Sequence, residues 1–400
     1  MDELNPQTQA AVLYLVNHIK RCFTALMDGS ARLPRRRPAY WLAKVSRSAG
    51  FWGFPILTRP VLDNCVTLGI KIGQEVLELN GVYQFCAFLK AVEAPLLGIL
   101  SGLPARDACL KVSNKFEPHL YKATRFTNLS QIFSDASLKD VEGISLFLHG
   151  SLADLKFTAF SDVDDLVVVH KQAWQNPDAL IRTATVLAAL ARSYQKIDPY
   201  QHHGHWVVTE FNLLAYEQSI LPLAVLNGAM HVIGKTEIPL RLSSERSGFF
   251  RNAGYSIKSM QKKLGHANSI NGINAFELKG LVGEIAIMPA YLFQAQGSML
   301  SKPEALQRAG EILSPGALET IAWATFVRDN FGPLVDNQRT RLLQQIANLT
   351  CARRYQAEAI FKNQALRVRG KYSLGLDSKV RKGIENFIQE STTLIARLAN

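Results

Sequence analysis

The sequence predicts an α+β protein in which a short mixed sheet lies between two helical regions. Three short apolar runs rich in β-branched residues, at 144–148, 163–169 and 205–213, are separated by helical patterns and are typical of strands. Before about residue 125 and after about residue 236 the periodicity is helical. A length of 400 residues suits two or three domains, and 48% hydrophobic residues are enough to bury their cores.

The N-terminal region, residues 1–125, is predicted to be mostly helical. Residues 7–27 carry apolar side chains at helical spacing, and 61–112 alternates helical runs with turn signals such as Asn80-Gly81. The sequence assigns this region no role.

The middle region, residues 126–236, is predicted to contain the sheet. The runs at 144–148 and 163–169 form two neighbouring strands, and a helical pattern over 177–196 leads to a third strand at 205–213. Strands separated by helices indicate a mixed α/β unit.

The C-terminal region, residues 237–400, is predicted to be a helical domain. Its helices are separated by glycine and proline, which interrupt helical periodicity. The predicted helices are 245–265, 273–296, 302–313, 316–330, 336–364 and 376–398.

The net charge of +12 is concentrated at the two ends of the chain. Residues 1–60 hold nine basic and three acidic side chains, and residues 331–400 hold twelve and five. The stretch between them is nearly neutral, with 24 basic and 25 acidic residues. This distribution excludes a uniformly basic surface and favours an anionic partner at one or both ends.

The cysteines and the lengths of the apolar stretches favour a cytoplasmic location. The five cysteines form no CxxC pair, which argues against a disulfide scaffold or a cysteine zinc site. The acidic, polar first ten residues do not resemble a secretory signal. Lys90 and Glu93 interrupt one apolar stretch and Glu284 another, so neither reaches the ~20 residues of a membrane span. We expect a cytoplasmic protein with no membrane segment.

The most informative stretch joins the first two predicted strands. The first strand ends in Gly150 and Ser151, and after ten intervening residues Asp162, Val163 and Asp164 open the second. Because side chains alternate along a strand, the two carboxylates point the same way, with Cα atoms roughly 6.5–7 Å apart.

Two carboxylates at this spacing require a compensating group. At about 5 Å they repel by roughly 3 kcal/mol at an effective dielectric constant of 20, so one is protonated or a cation lies between them. Oxygen ligands with few other donors suit Mg²⁺, which completes its shell with water and substrate phosphates. A glycine followed by a serine allows close approach of the backbone to a phosphate.

This stretch resembles the signature of the DNA polymerase beta-like nucleotidyltransferase superfamily, over about 90 of the 400 residues. The matching residues are Gly150, Ser151, Ser161, Asp162, Val163 and Asp164. The resemblance implies a nucleotidyltransferase core, with Tyr216 to Gly234 as its closing helix and short strand. The helical remainder resembles the C-terminal bundles of small-substrate members such as aminoglycoside nucleotidyltransferases.

The resemblance also implies roles for individual residues. Asp162 and Asp164 would bind Mg²⁺, with Mn²⁺ as an alternative, and Gly150 and Ser151 would hold the β- and γ-phosphates. In the superfamily a third carboxylate comes from a later strand, and Glu210 is the candidate here, as a catalytic residue and metal ligand.

Two positions depart from the family pattern. Many members carry a glycine four residues after the serine, where this chain has Leu155. Asp165 stands where an apolar residue is usual. By strand alternation it faces away from Asp162 and Asp164, and we predict a structural pairing with a basic residue on a helix.

Three further features are compatible with a site or with an ordinary surface. Residues 202–205 are histidine-rich and are interpreted as a loop before the third strand, with contact to the acceptor left open. The helix predicted at 245–265 carries basic and aromatic residues on one face, and Lys258 is the candidate there for nucleotide binding. Residues 353–382 mix basic side chains with tyrosines and suit nucleic acid or a solvated helix pair.

The sequence therefore predicts an Mg²⁺-dependent transfer of a nucleoside monophosphate from an NTP, with ATP favoured, to a hydroxyl-bearing acceptor, releasing pyrophosphate. The acceptor is a small molecule, a protein or an RNA. One alternative is an RNA-directed enzyme acting on tRNA or another RNA end through the basic flanks. Another is a catalytically silent regulatory protein that binds nucleotide on the same fold.

Overall fold

The chain folds as an α+β protein with small mixed sheets and a majority of helix. The computed structural model describes residues 5–28, 56–79, 81–121, 126–133, 136–158, 161–197, 201, 204–219, 221–243, 247–267, 273, 275–330 and 376–399. The predicted helix at 336–364 and the basic stretch at 353–375 lie outside these ranges.

The helices of the N-terminal region pack against one face of the central sheet. They are α1 (Pro6–Met27), α2 (Arg59–Thr67), α3 (Gln74–Glu78) and α4 (Gly81–Ser101). Helix α1 begins where the Asn5 side chain accepts a hydrogen bond from the Thr8 N–H at 2.8 Å, with Pro6 in the first turn. Its apolar face, which includes Leu15 and Ile19, is buried, so the helix predicted at 7–27 is confirmed.

Five strands form the central sheet in the order β2-β6-β3-β4-β5. The strands are β2 (Asn114–Lys115), β3 (Ile144–His149), β4 (Asp164–Val169), β5 (Trp206–Thr209) and β6 (Met230–Ile233). Strand β3 is antiparallel to both β4 and β6, while β4 and β5 are parallel. The parallel pair is joined by helix α6 (Pro177–Ile197), as predicted.

A second, two-stranded sheet lies outside the predicted sheet region. It pairs β1 (Ala105–Lys111) antiparallel with β7 (Glu237–Ser243). Strand β1 lies within the region that was predicted to be mostly helical, and the expectation of helices alone after residue 236 is wrong at β7. Strand β7 does carry the period of two, because Ile238, Leu240 and Leu242 are buried on one face. Strand β2, which pairs with β6, also precedes the predicted boundary at residue 126.

The third predicted strand is shorter than expected. Strand β5 ends at Thr209, and helix α7 (Glu210–Leu214) begins at the next residue. The Asn212 side chain accepts hydrogen bonds from both the N–H and the hydroxyl of Thr209, at 2.9 Å each, which caps the helix. Residues 210–213 are therefore helical rather than extended.

Two short helices complete the middle region, and the last five described helices form the C-terminal domain. Helix α5 (Leu129–Phe133) precedes β3, and helix α8 (Leu223–Leu226) precedes β6. The C-terminal helices are α9 (Ser247–Ala267), α10 (Ala275–Ala295), α11 (Lys302–Gln307), α12 (Pro315–Asn330) and α13 (Ser378–Ala399). A separate apolar core that includes Met260, Leu281 and Phe387 holds this domain together.

Helix α4 is the one described helix that is long and apolar enough to cross a membrane, with a mean hydropathy of 1.3 over its most apolar window. Of that window, 39% is buried inside the protein. Glu93, in the middle of the helix, is buried, accepts a hydrogen bond from the Trp174 indole at 3.0 Å and pairs with Lys171. Core helices of soluble proteins pass the same test of length and composition.

Candidate functional site

The turn after β3 brings the backbone of Gly150 against the carboxylate of Asp164. Gly150 has a φ of +70°, in the left-handed region that favours glycine. A Cβ atom at this position would lie 3.0 Å from Asp164 Oδ2. Glycine is therefore favoured at position 150 by the left-handed backbone of the turn and by the short distance to the Asp164 carboxylate.

The residues that follow form one helical turn closed by a Schellman motif. The Lys156 N–H donates to the Ser151 carbonyl at 2.9 Å, and the Leu155 N–H donates to the Leu152 carbonyl at 3.3 Å. Leu155 occupies the left-handed position of this motif, with a φ of +54°. The turn geometry thus requires at 155 the conformation that glycine adopts most easily, although the chain carries leucine there.

Leu155→Gly is expected to preserve or raise the free energy of unfolding. Relief of the left-handed conformation is worth about 1–2 kcal/mol, against a loss of about 0.5–1 kcal/mol from the greater freedom of glycine in the unfolded chain. The Leu155 side chain is largely exposed, so little packing is lost. Urea unfolding of the variant and wild type tests this expectation, and a clear destabilisation would contradict it.

Asp162 and Asp164 flank a buried valine at the start of β4. Val163 is fully buried in the core between the sheet and the N-terminal helices, whereas both aspartates keep some exposure to solvent. Asp164 lies directly opposite His149 in the antiparallel pair with β3. The two carboxylates therefore share one face beside the Gly150 turn, as predicted from strand alternation.

Three basic side chains of the C-terminal domain interact electrostatically with the acidic pair. The Lys279 ammonium, from α10, forms an ion pair with Asp162, and each of these side chains is 10% exposed. Lys302 opens α11, and Arg328 lies near the end of α12. Each of the three comes from a different helix.

The pKa values of Lys302 and Arg328 respond to the charges of the aspartates. Burial lowers the pKa of Lys302 to about 7 together with the Arg328 charge, and the charges of Asp164 and Asp162 oppose this shift. Burial also lowers the pKa of Arg328, against the charges of Asp329 and Asp162. The aspartates thus offset the burial of cations that would otherwise be costly.

The predicted nucleotide-binding lysine, Lys258, is exposed on α9. Its neighbours on that helix are engaged elsewhere, since Arg251 lies 3.8 Å from Glu217 and Lys263 lies 2.6 Å from Glu284. Cations of α10, α11 and α12 interact with Asp162 instead. Helical periodicity could not identify them, because they share no helix.

The structure does not bring Glu210 to the acidic pair. Strands β4 and β5 are parallel, and Val169 pairs with Thr209, so Glu210 lies beside His170 at the opposite end of β4. Its carboxylate accepts a hydrogen bond from the Lys171 N–H at 3.1 Å. Six residues of strand separate it from Asp164, roughly 20 Å. The assignment of Glu210 as third metal ligand and catalytic residue is therefore wrong.

Asp165 faces away from the acidic pair, as predicted. It is buried, accepts a hydrogen bond from the Tyr194 hydroxyl of α6 at 2.7 Å and pairs with His205 Nδ1 at 2.7 Å. The basic partner lies just before β5 rather than on a helix. His205 Nε2 also donates to the Leu187 carbonyl at 2.8 Å, so both ring nitrogens carry protons. Within 202–205 this histidine is structural, and 202–203 lie outside the described ranges.

The chemistry of a divalent cation fits the acidic pair only in part. Within the described ranges, no group of three or more His, Cys, Asp or Glu residues is placed to hold a metal ion. Mg²⁺ is commonly bound by one or two carboxylates together with water and substrate phosphates. Asp162 and Asp164 therefore fit a magnesium ion that a polyphosphate helps to hold.

The comparisons with known proteins found no counterpart: no family model, no curated protein and no solved structure matches this chain.

Proposed function

We propose that this protein transfers a nucleoside monophosphate from an NTP, with ATP favoured, to a hydroxyl-bearing acceptor and releases pyrophosphate. One observation carries the proposal. The Gly150 turn lies against Asp164 at the start of β4, Lys279 of the C-terminal domain pairs with Asp162, and the charges of Lys302 and Arg328 interact with the same acidic pair. Their charges and geometry are complementary to a polyphosphate bound with a divalent cation.

The residues of the site would hold the triphosphate both by close contact and by neutralising its charge. Gly150 and Ser151 would contact the β- and γ-phosphates, because a glycine backbone permits close approach and a serine adds a hydroxyl donor. Lys279, Lys302 and Arg328 would neutralise the phosphate charge and keep the nucleotide in the cleft.

Asp162 and Asp164 would hold the Mg²⁺ or Mn²⁺ ion. When bound, this ion neutralises charge at the α-phosphate and orients it for attack. With Glu210 at the other end of the sheet, an aspartate of the pair is the group available to accept the proton of the acceptor hydroxyl.

The ion pair between Lys279 and Asp162 suggests an exchange on substrate binding. The ammonium compensates the carboxylate charge that a divalent cation would otherwise compensate. A bound cation at Asp162 would release Lys279 toward the incoming phosphates. The same lysine would thus stabilise the empty and the occupied site.

The reaction class is tested with ATP labelled at the α- or the γ-phosphate, incubated with Mg²⁺ and a cell extract. We expect label from the α-position to enter one fraction, whether small molecule, protein or RNA, and pyrophosphate to accumulate. The Asp162→Asn/Asp164→Asn double variant should transfer nothing. Asp63→Asn, an exposed acid paired with Arg59 on α2, is the matched control and should behave as wild type.

Two outcomes would contradict the proposal. Transfer of the γ-label would indicate a kinase, and equal transfer by the double variant and wild type would remove the acidic pair from the reaction. Binding of nucleotide and Mg²⁺ without transfer to any fraction would favour the silent regulatory protein.

A further inference from the structure

The backbone between the two aspartates is held by a side chain that does not belong to the sheet. The Gln201 amide donates from Nε2 to the Val163 carbonyl at 2.9 Å and accepts from the Val163 N–H at Oε1 at 3.0 Å. Gln201 is buried, with 7% of its surface exposed. Both hydrogen bonds are therefore shielded from water, and neither backbone group of Val163 is left unsatisfied.

The amide of Gln201 takes the place of a missing strand neighbour. Regular pairing of β4 with β5 begins only at Leu166 and Trp206, three residues after Val163. An amide that both donates to and accepts from one residue reproduces the contact a neighbouring strand would make. Gln201 thus extends the ordered backbone of β4 toward Asp162.

The direction of the two carboxylates depends on this extension. Side chains at 162 and 164 share a face only while the backbone at 163 stays extended. The Val163 side chain is anchored in the core on one face, and Gln201 fixes its N–H and carbonyl. The strand pairs of the described residues begin at Asp164 and include neither Asp162 nor Val163, so the amide supplies pairing that keeps Asp162 in register with Asp164.

We propose that Gln201 is a positioning residue, which orients Asp162 and Asp164 for a divalent cation through the backbone of Val163. The inference rests on the proposed function, because it concerns the same site. Gln201 touches neither substrate nor metal in this assignment. Residues in this supporting role typically contribute a factor of about 10–100 to metal affinity.

The test measures Mn²⁺ affinity in the presence of a non-hydrolysable ATP analogue by electron paramagnetic resonance, alongside thermal unfolding. Gln201→Met keeps an unbranched side chain of similar length and removes both hydrogen bonds. Gln201→Asn keeps the amide but is one methylene shorter and cannot span both Val163 groups. We expect Mn²⁺ affinity to fall about 10–100-fold in the first variant and by a smaller factor in the second.

Thr183→Val is the matched control. Thr183 is fully buried and makes the same kind of paired contact, accepting from the Glu142 N–H at 3.1 Å and donating to the Glu142 carbonyl at 3.4 Å. Its loss should lower the unfolding temperature as Gln201→Met does. It should leave Mn²⁺ affinity unchanged, because Glu142 precedes β3 at the end remote from Gly150.

The outcomes separate the two proposals. If Asp164→Asn abolishes Mn²⁺ binding while both Gln201 variants bind like Thr183→Val, the positioning role is overturned and the proposed function stands. If wild type and Asp164→Asn bind Mn²⁺ equally, the site itself is overturned. If Gln201→Met fails to fold, the Mn²⁺ affinity of Gln201→Asn decides whether Gln201 has the positioning role.

Discussion

Asp162→Asn and Asp164→Asn are each expected to lower kcat for nucleotidyl transfer by about 10²–10³-fold, the range seen when one preorganised electrostatic contact to a transition state is removed. Each substitution keeps the size of the side chain and removes its charge. The cation at the α-phosphate would then be held by one carboxylate instead of two. Initial rates with α-labelled ATP at saturating Mg²⁺ measure the effect.

A comparison with Lys279→Met makes the expectation more specific. Lys279 pairs with Asp162, and its ammonium group is not a ligand for a cation. Its loss is expected to raise KM for ATP more than it lowers kcat, because it removes a contact to the phosphates. If the aspartate variants also change KM alone, the acidic pair contributes to binding and not to the chemical step.

The turn and the acidic pair could be predicted from the sequence because they are local. Gly150 directly follows β3 and Asp164 opens the next strand, and the two-residue period of an extended chain predicts that Asp162 and Asp164 share a face. Asp165 was placed correctly for the same reason.

The third strand shows where local patterns fail. The apolar run that includes Phe211 and Leu213 suits a strand, yet the hydrogen bonds between Thr209 and Asn212 start a helix at Glu210. Even a longer strand would not have moved Glu210 to Asp164, because the parallel register fixes which ends meet. Register depends on the whole sheet and is not encoded in one segment.

The cations of the site and Gln201 were missed for a related reason. Lys279, Lys302 and Arg328 come together only when α10, α11 and α12 pack, so no spacing in the sequence links them. Gln201 acts on a backbone 38 positions away. Contacts of this kind become visible only once the packing of the domain is known.

Asp165→Asn is expected to destabilise the protein by about 3–5 kcal/mol near pH 6, the usual cost of removing one partner from a buried ion pair. Asp165 and His205 are almost completely buried, and the Asp165 carboxylate also binds the Tyr194 hydroxyl. The amide would leave a protonated imidazole without its counterion. Urea unfolding measures the loss, and Asp63→Asn, at an exposed site, should change the free energy of unfolding very little.

The same pair should make stability depend on pH in a defined direction. Burial alone would lower the pKa of His205, but the Asp165 charge and hydrogen bond, the Asp28 charge and the Leu187 carbonyl raise it to about 9. Because the folded pKa lies above the ordinary value of about 6.5, the stabilisation is complete below pH 6.5 and disappears as the pH rises through 9. The shift corresponds to about 3 kcal/mol.

The difference between wild type and Asp165→Asn isolates this effect from other titrating groups. Because the pKa of Lys302 is lowered, this group makes the free energy of unfolding rise with pH above 7, opposite to His205. The raised pKa values of Cys22 and Cys86 make it fall above about pH 9. All three groups are common to both proteins. The wild-type advantage in free energy of unfolding should therefore be largest near pH 6 and shrink steadily toward pH 9.5. An advantage that stays constant over this range would mean that the buried imidazole is neutral and that Asp165 acts only as a hydrogen-bond acceptor.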